Sequence, residues 1–127
     1  MVFFSERRIM KRDKTDALFS RFIKLLSGGI CARCHKYLGV KSRGLHCMHW
    51  FSRGKRNIRF DRFNAAGGCY GCHRYLDQHP LEKTEFFLNL YGQAQFERLR
   101  WLADHPNKID IQAIEADLKE KIKILGG

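Results

Sequence analysis

The chain has 127 residues, with 44% hydrophobic and 13% aromatic residues. That suffices for one domain with a modest core and excludes wholesale disorder. Twenty-four Lys and Arg against 13 Asp and Glu give a net charge of +11, which points to a polyanionic partner. The charge is uneven. Residues 1–80 hold 17 basic and 5 acidic side chains, whereas residues 81–127 hold 7 and 8. No apolar run is long enough to span a membrane, and the N-terminus lacks a signal-peptide pattern. The five cysteines, odd in number, argue against a secreted disulfide framework and for a reducing cytoplasm.

Residues 1–13 read as a basic arm or a short helix, in which Arg7, Arg8, Lys11 and Arg12 offer a second grip on a polyanion. Residues 14–27 predict a helix with Leu18, Phe22, Leu25 and Leu26 on one stripe and Phe19 and Ile23 beside it. Thr15 or Asp16 is the expected cap, and Gly28-Gly29 the stop. Residues 30–40 read as a tight knuckle around a first C-x-x-C pair, and residues 44–51 as a strand. A basic turn follows at 52–57, and Ile58-Arg59-Phe60 is expected to pair back as a second strand. The stretch 64–78 becomes helical by Cys72, with Pro80 as a breaker. Residues 81–103 predict one helix or two, interrupted near Gly92. Residues 110–124 predict an amphipathic helix with Ile111, Ile114, Leu118 and Ile122 on one side. The organisation is therefore a basic arm and helix (1–29), a central core (30–80) and a helical extension (81–127).

The strongest motif is the pair of pairs, Cys31-x2-Cys34 and Cys69-x2-Cys72, separated by 34 residues. Two such pairs close a tetrahedral Zn²⁺ site of four thiolates, which staples a fold and leaves no open position for catalysis. Cys47 stands outside this set and reads as a small side chain buried in the strand. The long spacer carries His46, His49 and Asn64, with His73 directly behind Cys72. It also carries Lys41, Arg43, Arg53, Lys55, Arg56, Arg59 and Arg62 against Asp61 alone. Such a run suits phosphate contacts, which give affinity without reading a base sequence. Arg53 and Arg56 are the leading candidates.

The order His49, Asn64, His73, flanked by C-x-x-C pairs, resembles the HNH (ββα-metal, or His-Me finger) nucleases. Within them it is most similar to the phage recombination endonucleases of the NinG/Rap type. The matching stretches are the first cysteine pair, His49-Trp50-Phe51-Ser52-Arg53, Ile58 to Asn64, the second cysteine pair, and Leu90-Tyr91-Gly92. The resemblance covers roughly residues 30–105. It implies an α+β fold, a small zinc-clamped ββα-metal core flanked by N- and C-terminal helices. It further implies a Mg²⁺- or Mn²⁺-dependent endonuclease acting on branched DNA in phage or prophage recombination, inside a bacterial host cell. His49 would be the general base, His73 a metal ligand, and Asn64 the residue that orients loop and base. As a plain alternative, Asn64 caps a helix.

One position departs from the pattern. The residue before the base is commonly a carboxylate or histidine that binds the metal; here it is Met48, a thioether that suits Mg²⁺ poorly. Residues 46 and 48 share a strand face, so His46 is the candidate replacement, helped by Asp61. Two other classes compete: a non-catalytic zinc module that binds nucleic acid, and a regulatory protein whose zinc site serves a partner interface. A homodimer is expected if two strands of a junction are cut together, with the neutral helical tail as its contact.

Overall fold

The computed structural model describes residues 13–127; the basic arm with Arg7, Arg8, Lys11 and Arg12 lies outside them. The fold is α+β. Among the described residues it has five helices and one two-stranded antiparallel sheet. None of these helices is long and apolar enough to cross a membrane.

Helix α1 (Lys14–Leu26) is capped by Asp13, one residue before the expected Thr15 or Asp16. Asp13 accepts from the Asp16 N–H at 3.0 Å while Asp16 accepts from the Asp13 N–H at 3.0 Å, a reciprocal capping box. Thr15 instead donates to Glu115 at 2.7 Å, tying α1 to the last helix. The buried stripe of α1 is Phe19, Phe22 and Ile23, whereas Leu26 is exposed. Gly28 and Gly29 end the helix at φ +65° and +81°, the left-handed region that glycine enters without cost from a side chain.

Strand β1 (Leu45–His49) pairs with β2 (Ala65–Cys69), in the register Leu45 to Cys69 through His49 to Ala65. The second strand is therefore not Ile58-Arg59-Phe60. Those residues lie in turns, with short 3₁₀ segments at Arg56–Ile58 and Arg62–Asn64. The β-forming residues there serve another purpose: Ile58 is a fully buried core plug. The true strand, Ala-Ala-Gly-Gly-Cys, is built from small residues because its neighbours come close. A Cβ on Gly68 would drive into the Met48 side chain, and one on Gly67 would sit 2.9 Å from the Ser27 Cβ.

Helix α2 (Tyr70–Gln78) follows β2 directly, with Cys69 as its cap. His79 ends it, and Pro80 is the first residue of α3 (Pro80–Tyr91) and not a breaker inside it. Gly92, at φ +93°, separates α3 from α4 (Gln93–Asp104). Asp110 caps α5 (Ile111–Ile124) by accepting from the Ala113 N–H at 3.0 Å.

Alternation along the strands sorts two cores onto the two faces of the sheet. One holds Met48, Trp50, Ile58, Ala66, Leu76, Phe87, Leu99 and Ala103, under α2, α3 and α4. Trp50 stacks on Phe87 there, with centroids 5.1 Å apart. The other holds Phe19, Phe22, Ile23, Ala65, Leu118 and Ile122, between the sheet and helices α1 and α5. Cys47 packs at the edge of this second core, half-buried.

Candidate functional site

The four clamp cysteines converge from the knuckle after α1 and from the β2–α2 junction. Their sulfurs all lie within 4.8 Å of one another, and Cys34 Sγ is 3.8 Å from Cys69 Sγ. Ligands 2.3 Å from a tetrahedral zinc ion stand about 3.8 Å apart, so the spacing fits such an ion. Local turns aim these sulfurs. The Cys34 N–H donates to Cys31 Sγ and the Cys72 N–H to Cys69 Sγ, each at 3.4 Å. The Arg33 guanidinium donates to Cys72 Sγ at 3.4 Å.

Their protonation preferences diverge. Burial alone would raise the Cys31 thiol, but N–H donors from Cys34, Cys69 and Arg33 outweigh it and bring it to about 6. Burial and the neighbouring sulfurs push Cys72 up instead. Four thiols this close cannot all ionise together unless a cation sits between them, which is the charge balance a thiolate-bound metal provides. The chain thus has four cysteines placed to hold a metal such as zinc.

A second group of residues lines an open cleft of about 620 Å³ beside β1. Among the described residues β1 is paired with β2 alone, and side chains of both strand faces, Leu45, His46, Cys47 and His49, line this cleft. His46 and His73 meet there with their Nδ1 atoms 2.9 Å apart and rings perpendicular. On its other nitrogen, Nε2, His73 faces Asp77 at 3.4 Å, one helical turn later. A metal-binding imidazole commonly turns its far N–H to a carboxylate in this way. At this distance one Nδ1 donates to the other, and the pair would turn both nitrogens to a cation once that proton is lost, with Asp77 behind them. Asp77 also pairs with Lys83 at 2.9 Å, drawing α3 to the cleft. Burial pushes the His73 pKa down, partly offset by Asp77.

His49 lines the same cleft from the opposite strand face, its ring 5.7 Å from Phe19. Its Nε2 is 3.2 Å from the Arg59 carbonyl oxygen. A carbonyl only accepts, so Nε2 carries the hydrogen and Nδ1 is the acceptor nitrogen of the neutral ring. Burial lowers the His49 pKa to about 4, so the ring is neutral at physiological pH.

Asn64 is fully buried and caps no helix. Its Oδ1 accepts from the Phe51 N–H at 2.7 Å, and its Nδ2 donates to the carbonyls of Phe51 and Ile58 at 3.1 and 3.2 Å. It pins together both ends of the loop that leaves β1.

The basic run divides. Arg43 and Arg53 line the cleft, joined by Lys24 and Lys83 from outside the run. Lys41, Lys55 and Arg56 are exposed but are not among the residues that line it. Arg59, expected to touch phosphate, is buried against Asp16. Its Nε donates to Asp16 Oδ1 at 2.9 Å, and its Nη2 to Oδ2. Asp61 is likewise not a ligand. It caps the 62–64 turn and pairs with Arg98 through two contacts of 2.8 Å, in a separate groove. Met48 is core, not ligand.

Asp77, Lys24 and Lys83 were missed from sequence. The spacing of Asp77 four residues after His73 on a helix is the signal that points to it. Compared with known proteins, the chain matches no family model, no curated protein and no solved structure.

Proposed function

We propose that this protein is a metal-dependent DNA endonuclease of the HNH type, its ββα unit stapled by zinc and its cleft cutting phosphodiester bonds. The observation that carries the reading is the convergence of His46, His49 and His73 on one open cleft bordered by Arg43 and Arg53. The β1–β2–α2 order and the cysteine clamp that closes it agree with the resemblance to the NinG/Rap endonucleases. By that resemblance the substrate is branched DNA arising in phage or prophage recombination, and two copies of the chain act on one junction.

Each residue has a task in this reading. His49 takes the proton of the attacking water on Nδ1, because Nε2 is committed to the Arg59 carbonyl. His46 and His73 would hold a divalent ion, with Asp77 fixing the His73 ring from behind. Held there, such an ion would supply Lewis acidity toward the phosphate and the departing oxygen. Two imidazole donors suit Mn²⁺ better than Mg²⁺, which prefers oxygen. Arg43 and Arg53 attract the phosphate to the cleft wall. Asn64 holds the loop that brings the Arg59 carbonyl to the base.

The test is incubation of branched, duplex and single-stranded DNA with the zinc-loaded protein and Mn²⁺ or Mg²⁺. Cleavage, fastest on the branched substrate, is the expected result. Salt-sensitive binding with no cleavage in either metal would make the protein a non-catalytic nucleic-acid-binding module. Met48 in the place of a common metal ligand is the feature that favours that second reading.

A further inference from the structure

The buried ion pair that removes Arg59 from the substrate surface has a second consequence. Asp16 and Arg59 are each only 5% exposed, although two charges in a core are costly and a well-packed apolar pair is often as stable. The Asp16 carboxylate cannot swing away. Oδ2 accepts from both the Asp13 N–H and Arg59, and Oδ1 accepts from the Arg59 Nε. The Arg59 side chain is thus held, and its backbone sits in a turn whose neighbour Ile58 is fully buried. The carbonyl of this anchored residue is the one that faces His49 Nε2 at 3.2 Å. The same carboxylate lies 3.4 Å from Arg53, a residue of the cleft wall.

We infer that Asp16, on α1, is a positioning residue of the cleft: through Arg59 it fixes the carbonyl that selects the Nε2–H form of His49 and keeps Nδ1 as the proton acceptor. The inference rests on His49 being the base. It concerns a nearly buried residue of the cleft wall that acts on His49 through Arg59, and it makes α1 part of the active-site scaffold. If the turn relaxes, the ring loses the acceptor that distinguishes its two nitrogens. The base is then present in the wrong form for part of the time, while substrate binding changes only through Arg53, which loses its contact with this carboxylate.

The experiment measures the His49 ring nitrogens by ¹⁵N NMR in the full chain, together with kcat and KM for DNA cleavage. It compares wild type, Asp16→Asn, and the double variant Asp16→Leu with Arg59→Met. The double variant removes both charges, so that a folded protein is available if Asp16→Asn alone leaves Arg59 stranded. Wild type is expected in the Nε2–H form. The variants are expected to show mixed forms, with kcat reduced roughly 10- to 100-fold and KM within a few-fold. A folded variant that retains the wild-type tautomer and kcat overturns the proposal. So does an equal loss in kcat with the tautomer unchanged, which is what a purely structural role would give. If His49→Ala cleaves as fast as wild type, the reading of the base fails, and the tautomer measurement still decides what Asp16 does.

Discussion

The cysteine clamp and the histidine cleft meet at the first turn of one small helix, where Cys72 and His73 are neighbours, yet they are built on opposite rules. The clamp is convergent. Four soft donors face one point, and two of them take a backbone N–H from their own turn. The cleft is divergent. His46 and His73 face one another, His73 turns its other nitrogen to Asp77, and His49 turns away to a backbone carbonyl. A set that spends all its donors on one ion is finished chemically. A set with donors directed to different tasks leaves room for a water, a phosphate and a proton. In the proposed reading the clamp is the scaffold and the cleft the reactive part.

The largest effect separating the two should come from the clamp. Cys69→Ser removes a metal ligand and alters the cap of α2, and metal binding at such a site is folding free energy. We expect a loss on the order of 5 kcal/mol or more, with no cooperative thermal transition and less than one zinc per chain by elemental analysis. A variant that melts like wild type without zinc would make the clamp dispensable.

Asn64, which holds the loop between β1 and β2, should come next. Asn64→Ala strands the Phe51 N–H and two carbonyls in the interior, at about 3 kcal/mol by urea denaturation. Zinc content should stay at one per chain while cleavage falls. An Asn64→Ala protein of wild-type stability would remove the loop from the account.

The cleft also leaves a mark on acid stability. His49 titrates near 4 in the folded chain and near 6.5 when unfolded, so between these values the unfolded chain binds more protons. Stability contributed by the neutral ring is complete above about pH 6.5 and is lost as pH falls toward 4. Between pH 7 and 5, wild type should lose about 2 kcal/mol more than His49→Leu. Equal losses would mean that His49 is not buried as the structure places it.

The smallest effect belongs to the exposed cations. Lys55→Ala and Arg56→Ala should leave stability within about 0.5 kcal/mol. Each should reduce the slope of log affinity against log salt by about 1, if the loop tip touches DNA. An unchanged slope in both would confine the phosphate contacts to the cleft wall.

What the sequence made legible follows from how local each signal is. The cysteine pairs, the break at Gly92 and the amphipathic last helix are written in neighbouring residues, and the structure places them as the pattern predicts. The second strand was misplaced because Ile58 and Phe60 have the β-forming side chains, whereas Ala65–Cys69 is a strand by virtue of what it lacks. Its glycines admit Met48 and Ser27, and no local pattern announces those neighbours. Arg59 was misassigned for a similar reason: its partner, Asp16, is far away in sequence on another helix. His46 beside His73 followed from strand alternation taken together with the resemblance to the HNH nucleases. Asp77 behind His73 is marked in sequence only by its four-residue helical spacing, a signal that any surface carboxylate near a helix end shares.

The central claim is that the cleft does chemistry that the clamp does not. The most direct measurement is the single-turnover rate of DNA cleavage in Mn²⁺ by zinc-loaded wild type and by His49→Ala, with zinc content and melting temperature taken on the same samples. The account predicts a fall of roughly 10²- to 10⁴-fold in rate, with the zinc retained and the fold intact. A His49→Ala protein that cleaves at the wild-type rate would contradict it.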